Sequence, residues 1–297
     1  MRRPMAALRA AWSLARAAVS AWIDDRAPSM GAALAYYTLF SLAPLLLIVV
    51  SLAGMAFGAE AARGEVVGQL RGLMGEAGAQ TVQGILESVN WPAGGALATL
   101  VGLALMLVGA TTVFAELQDT LDIVWRAPPR VGGGLWALLR ARLLSFGMIL
   151  GVGFLLIVSL LFNATIAALQ RWWEPWLRQW ELWATGLNIL SSFALLTLMF
   201  AMIYKLMPRV RIAWADVWVG AMVTALLFSL GANLIGYYIS HSAVASGFGA
   251  AGSLVVLLVW VYYSAQIFLL GAEFSWVYAH TLGSLRGQEP AARTQTR

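Results

Sequence analysis

The chain of 297 residues contains no cysteine, a single lysine and two histidines, and only 11% of its residues are charged. Without cysteine there is no disulfide, no thiolate nucleophile and no cysteine-ligated metal. His241 and His280 are far apart in sequence and lack neighbouring acidic ligands, so neither a metal centre nor any other cofactor is expected. Lys205 follows Tyr204, so the G-x-x-x-x-G-K-S/T phosphate loop cannot be written and ATP bound by this chain is not a driver. A nuclease would need a metal-carboxylate cluster or a histidine acid/base pair in water, and these residues supply neither. No Ser-His or paired-Asp arrangement stands out either, so the sequence predicts a protein that is not an enzyme and does not bind nucleic acid.

What the chain has in abundance is apolar length: it is 61% hydrophobic with a mean hydropathy of +0.77, outside the range of soluble globular domains. A spanning helix needs about 20 mostly apolar residues. Six windows meet that demand, at 33–57, 93–112, 143–165, 184–206, 217–240 and 253–276. They are too long for barrel strands and lack their period-two alternation, so the expected fold is all-α and polytopic, with six transmembrane helices.

The charges orient these helices. Arg2, Arg3, Arg9, Arg16 and Arg26 precede the first span, and Arg126, Arg130, Arg140 and Arg142 separate the second from the third. Lys205, Arg209 and Arg211 follow the fourth span, and Arg286, Arg293 and Arg297 lie in the tail. The opposite side holds Arg63, Arg71, Arg171 and Arg178. Positive-inside bias then places both termini in the cytoplasm, in agreement with an even number of crossings.

Residues 1–31 read as a cytoplasmic amphipathic segment, since Met5, Leu8, Trp12, Ala15, Val19 and Trp22 recur at three- and four-residue steps. Residues 32–276 form the transmembrane domain. Within it, 59–90 reads as an extracytoplasmic helical cap of two short amphipathic helices, where Gly64, Gly68 and Gly72 could permit close helix contact. Trp172, Trp173, Trp176, Trp180 and Trp183 predict an aromatic belt helix at the outer interface. Residues 277–297 form a polar cytoplasmic tail.

Polar side chains inside spans mark candidate sites, because their burial must be compensated. On the sixth span Tyr262, Gln266 and Glu273 fall on one helical face. On the fifth, Asn233, Tyr237 and His241 recur at four-residue spacing; Asn188, Ser191 and Ser192 lie on the fourth, and Pro44 is expected to bend the first near Ser41. These groups line a polar pathway or serve as interhelical hydrogen bonds; both readings require inward orientation. A second cluster is expected at the cytoplasmic surface, where Glu116, Asp119 and Asp122 meet Lys205, Arg209 and Arg211, with Glu273 nearby. It reads either as an ionic lock or as stabilisation of helix ends.

Several strings resemble the YihY/BrkB family of bacterial inner-membrane proteins. They are Ala33-Leu34-Ala35-Tyr36-Tyr37 leading to Ser41-Leu42-Ala43-Pro44, then Leu121-Asp122-Ile123-Val124-Trp125, Tyr204-Lys205-Leu206-Met207-Pro208, Gly220-Ala221, Trp260-Val261-Tyr262-Tyr263 and Gly271-Ala272-Glu273-Phe274. The resemblance implies a six-helix protein of the cytoplasmic membrane and makes Tyr36, Tyr37, Ser41, Pro44, Trp260, Tyr262 and Glu273 worth testing. Virulence-factor, transporter-like and ribonuclease labels are attached to different family members.

The expected function is transport of a lipid or amphiphile between leaflets, with membrane lipids and an unidentified solute or lipid substrate as partners. The competing expectation is a non-transporting envelope scaffold. Gly147-Met148-Ile149-Leu150-Gly151 on the third span offers a close-packing face for a partner helix or a second copy, hence a homo-oligomer.

Overall fold

A computed structural model describes residues 2–88, 96–128, 180–241 and 252–287, with isolated helical positions between 143 and 165. The described residues form helices and turns, without strands. Seven helices are described: α1 (Arg2–Asp24), α2 (Ala27–Phe57), α3 (Ala59–Ser88), α4 (Ala96–Val124), α5 (Trp180–Leu206), α6 (Trp214–His241) and α7 (Gly252–Thr281).

Among the described residues four stretches are long and apolar enough to cross a membrane: Ala27–Ser51, Gly186–Leu206, Trp214–Tyr238 and Leu254–Thr281. They coincide with the first, fourth, fifth and sixth predicted spans. The predicted span at 93–112 falls at the start of α4, and the one at 143–165 lies largely outside the described residues, as do Trp172, Trp173 and Trp176. Trp180 and Trp183 belong to α5.

α1 and α2 are separated by Arg26, which adopts the left-handed conformation (φ 55, ψ 39), and α2 then starts with a proline, Pro28, in its first turn. Proline suits that position because its missing N–H would have had no helical partner. The helix runs on through Pro44, whose ring rests on Gly109 of α4; a Cβ on that glycine would lie 3.0 Å from Pro44 Cγ. At Gly58 (φ 89) the chain turns sharply into α3, with the Gly58 N–H bonded to the Gly54 carbonyl at 2.9 Å.

Two sequence expectations are corrected at this level. The segment 59–90 holds one 30-residue helix rather than two short ones. Ala79 and Val82, where the break was expected, are fully buried in a cluster with Leu46, Val49 and Val50 of α2 and Leu257 of α7, so tertiary packing holds the helix through its glycines. Among the described residues nothing stands within 4 Å of where a Cβ on Gly64 or Gly68 would lie, so no close helix contact forms there. In α1 residues Trp12 and Val19 of the predicted interfacial stripe face outward, and a different face packs on the bundle. Leu14, Ala18 and Ala21 lie against Val277, Leu270 and Phe274 of α7, while Trp12 is 74% exposed and Val19 and Ile23 also face outward.

The main core lies between α2, α4, α5, α6 and α7. α7 packs on α1, α2, α3, α4 and α6, which makes it the axis of the described bundle. Its neighbours α2 and α6 run antiparallel to it: Gly31 lies beside Gln266 while Val49 clusters with Leu257, and Gly220 meets Ser275 while Gly231 meets Ile267.

Candidate functional site

Among the described residues the buried carboxyl and carboxamide groups lie on α7, at Gln266 and Glu273, or near helix ends beside it, at Gln118, Asp122 and Asp216. The seam between α6 and α7 explains how these groups are held. Gly220 and Thr224 on α6 and Gly271 and Ser275 on α7 form two small-x-x-x-small pairs that interlock. A Cβ on Gly220 would lie 2.6 Å from Ser275 Cβ, and one on Gly271 would lie 2.8 Å from Thr224 Cβ. Only glycine lets the two backbones come this close, and close approach is how helices gain contact in lipid, where burial of apolar surface no longer distinguishes neighbour from solvent.

Tyr204 of α5 ties a third helix to this seam. Its hydroxyl donates to the Phe268 carbonyl at 2.7 Å and lies 3.0 Å from Thr224 Oγ1, which in turn donates to the Gly220 carbonyl at 2.7 Å. Tyr204 is fully buried, with Phe200 and Phe268 against its ring. The hydrogen bonds are therefore shielded from water, where loss of one partner is most costly.

Glu273 is 0% exposed. This corrects the expectation that it sits at a surface with Glu116 and Lys205: on α7 it points into the packed bundle. Gln266, two turns earlier, lies against Gly31 of α2, where a Cβ would come within 3.0 Å of the Gln266 Cδ. The amide nitrogen and oxygen of Gln266 are both shut away from solvent and have no hydrogen-bond partner among the described residues. Ser41 of α2 is also buried, and Tyr37, Pro44 and Tyr262 are half-buried.

The remaining predicted pathway residues are not brought together with these. Tyr36, Asn188, Asn233 and Tyr237 are exposed. The Asn233 amide bonds back to the Ser229 carbonyl of its own helix at 2.7 Å. His241 is the last residue of α6. A continuous row Asn233, Tyr237, His241 facing the interior is therefore not what α6 presents. Helical spacing places such residues on one face, but in an apolar helix it does not say which face is inside.

The predicted ionic cluster resolves into separate attachments. Asp122, buried near the end of α4, accepts from the Arg209 backbone N–H at 2.9 Å and from Arg209 Nε at 2.5 Å. This pair ties α4 to the loop after α5. Lys205 instead donates to the Ile212 carbonyl and lies over the Trp214 ring, 5.3 Å from its centroid. Arg211 is exposed. Beyond the predicted span at 93–112, burial and the neighbouring Asp119 push the Glu116 carboxyl above its usual range.

Three attachments at this end had no clear sequence signal. Asp216 is buried in the first turn of α6 and accepts from the Ser284 N–H at 3.1 Å and the Ser284 hydroxyl at 2.5 Å, anchoring the chain after α7. Gln118 donates to the Met207 carbonyl at 3.1 Å. Arg126 terminates α4 in the left-handed conformation (φ 51), with the Ala127 N–H closing onto the Asp122 carbonyl at 2.8 Å. That turn aims its guanidinium over the ring of Trp276 on α7, 3.7 Å from the centroid. What the sequence did signal is the Asp122–Arg209 attachment, within the predicted charge cluster; the strings at 220–221 and 271–274 carried the family resemblance and gave no expectation of a helix seam.

No group of three or more histidine, aspartate and glutamate side chains placed to hold a metal occurs among the described residues. The arrangement offers buried polar groups on α7, braced by tight packing on one side and by charged attachments at one end.

Comparison with known proteins places this geometry. The family described as virulence factor BrkB matches residues 18–296. A UPF0761 membrane protein of Tolumonas auensis is 30% identical over 203 residues, covering 65% of this chain and 62% of that protein. One of Pseudomonas paraeruginosa is 29% identical over 258 residues, covering 84% of this chain and 59% of its own length. One of Yersinia pestis is 29% identical over 208 residues, covering 67% and 64%. The chain thus spans about three fifths of the length of the curated relatives it matches. No solved structure matches. The family match takes in the Asp122–Arg209 attachment and the glycine seam alike, so this membrane protein belongs to the BrkB family.

Proposed function

We propose that this chain is a multi-pass protein of the bacterial inner membrane that moves a lipid or another amphiphile between leaflets, without ATP of its own and without covalent chemistry. In this reading the four apolar helices are joined by crossings at 93–112 and 143–165. Both ends of the chain face the cytoplasm, where the basic residues gather. α3, packed on the end of α2 and the start of α7, covers the outer end of the bundle. Movement is passive or follows an ion gradient.

The observation that carries this reading is Gln266. A buried amide without a hydrogen-bond partner costs about 1–3 kcal/mol, and a purely architectural helix would place an apolar side chain there. The amide instead sits on the helix that touches most of the others, two turns from a fully buried carboxyl group, Glu273. Such groups suit transient contact with a polar head passing through an apolar wall.

The test uses purified protein in liposomes carrying a fluorescent phospholipid in both leaflets, with a membrane-impermeant quencher added outside. Quenching beyond the outer-leaflet share is expected for the wild type, and its rate should fall several-fold for Gln266→Leu. Failure to move any lipid, ion or small amphiphile tried would overturn the transport reading and leave the scaffold reading. A reporter fused after Arg297 should be active only in the cytoplasm; outside activity would overturn the orientation.

A further inference from the structure

A cleft of about 400 Å³ opens between the second half of α1 and the last turns of α7, with the end of α4 closing one side. That size falls within the range of small-molecule sites, about 300–1,000 Å³. Ser20 and Asp24 of α1, Arg126, and Trp276, His280 and Thr281 of α7 line it. None of these groups belongs to the interior route around Gln266. The cleft brings a cation, an anion, an imidazole and two hydroxyls to one concave surface.

Two of these side chains, those of Arg126 and His280, are positioned by contacts with Trp276. Arg126 occupies a left-handed backbone position, φ 51, that a side-chain-bearing residue enters at some cost and that glycine normally fills at a helix end. An arginine there gains the face of Trp276 and reaches the cleft wall. A guanidinium has five N–H donors, so its contact with Trp276 and any neighbouring acceptor leaves donors for a ligand. The His280 ring lies 4.3 Å from the Trp276 ring, and its Nδ1 is 2.9 Å from the Trp276 carbonyl. Because a carbonyl only accepts, Nδ1 carries the proton, and Nε2 remains for a partner outside the helix. Asp24, on the last turn of α1, is exposed.

The position of the cleft relative to a bilayer follows from α1. Trp12, Val19 and Ile23 form its outward apolar stripe, and Arg9 and Arg16 lie on the edge of that stripe, the pattern of a helix lying at head-group depth. On a helical wheel Ser20 and Asp24 stand between this lipid-facing stripe and the Ala18/Ala21 face that packs on α7. The mouth of the cleft therefore opens where the phosphates and amines of one leaflet lie.

We propose that this cleft binds the head group of a membrane phospholipid bearing a phosphate beside a primary ammonium. Arg126 takes the phosphate oxygens in a forked, charge-assisted pair of hydrogen bonds, while the Thr281 hydroxyl is engaged with the Val277 carbonyl of its own helix. Asp24 accepts from the ammonium. A quaternary ammonium has no N–H to give, so it forfeits that bond while keeping the charge. The site therefore discriminates by donor count rather than by net charge. The binding does not depend on lipid translocation, and a scaffold would hold the same head group.

The experiment measures retention of short-chain phospholipids by the detergent-purified full chain, using native mass spectrometry and thermal shift. Dihexanoyl phosphoethanolamine and dihexanoyl phosphocholine lipids are compared with inorganic phosphate and with soluble phosphoethanolamine. The phosphoethanolamine lipid should bind best, by about tenfold or more over the phosphocholine lipid, since one charge-assisted hydrogen bond separates them. Asp24→Asn should erase that preference, and Arg126→Gln should weaken both lipids with partial rescue by Arg126→Lys. Ser20→Leu fills the mouth without altering charge and should abolish retention while the thermal midpoint of the lipid-free protein stays at the wild-type value. Equal retention of the two lipids by the wild type, or unchanged retention in Asp24→Asn or Ser20→Leu, overturns the proposal. Competition by inorganic phosphate as effective as by the lipid overturns the lipid as the source of the ligand.

Discussion

The contact between α6 and α7 permits a quantitative prediction from two interatomic distances. Carbon atoms in good contact stand about 3.5–4.0 Å apart. Gly220→Ala would place its new Cβ 2.6 Å from Ser275 Cβ and 3.2 Å from Ser275 Cα, so α6 and α7 must separate locally by roughly 1 Å. Overpacking of this kind costs about 1–3 kcal/mol. Because Thr224 and Gly271 interlock one turn away, the same separation loosens the Tyr204 hydroxyl from Thr224 and from the Phe268 carbonyl. Those buried hydrogen bonds add about 1–2 kcal/mol. Replacing a helical glycine by alanine returns about 1 kcal/mol, so the net destabilisation should be about 2–3 kcal/mol.

The compensating change is Ser275→Gly, which removes both the offending Cβ and an Oγ that has no hydrogen-bond partner among the described residues. In the double variant the closest remaining atom is Cα, at 3.2 Å. A double-mutant cycle should therefore show a favourable coupling of about 1–2 kcal/mol between the two sites. The assay is unfolding of detergent-solubilised protein along a rising mole fraction of denaturing detergent, followed by tryptophan fluorescence. If Gly220→Ala unfolds within about 0.5 kcal/mol of wild type, or if Ser275→Gly lowers its stability further without rescue, the seam is looser than described and the reasoning fails.

Other perturbations test the polar attachments separately. Tyr204→Phe keeps the ring packing and removes the hydroxyl shared by Thr224 and Phe268, so stability should fall by about 1–2 kcal/mol in the same unfolding assay. Asp122→Ala leaves Arg209 without its 2.5 Å partner, and because Arg209 is partly solvated the loss should be about 2 kcal/mol, with new protease sensitivity in the 207–213 loop. Asp216→Asn weakens the hold on Ser284 and should speed proteolysis after residue 281 while leaving the unfolding midpoint nearly unchanged. Gln266→Leu should raise stability by about 1 kcal/mol as it slows lipid movement, so loss of both properties together would identify Gln266 as structural.

Much of the architecture was legible because hydrocarbon demands length: runs such as Ala27–Ser51 and Leu254–Thr281 announce themselves. Sidedness was harder. In an apolar helix both the lipid face and the protein face are apolar, so Asn233 and Gln266 read alike although one is exposed and the other lies inward. On α1 the large apolar residues Trp12 and Val19 read as a membrane-facing stripe and do face out, whereas the small residues that pack, Ala18 and Ala21, gave no signal of their own. The continuity of α3 through residues 75–81 comes from contacts with Val49 and Leu257 that are remote in sequence. Arg126 over Trp276 depends on a left-handed turn at a residue that does not advertise one.

α7 packs on five of the other described helices and is joined to the sixth, α5, through Tyr204, yet it is made after all of them. While residues 252–281 remain within the ribosome, Gly31, Ala18, Thr224 and the Tyr204 hydroxyl have been delivered to the membrane without the surface they fit. Assembly of this bundle must therefore wait on the insertion of α7, and nascent chains halted before it expose small and hydroxyl-bearing patches to lipid, where cellular quality control can find them.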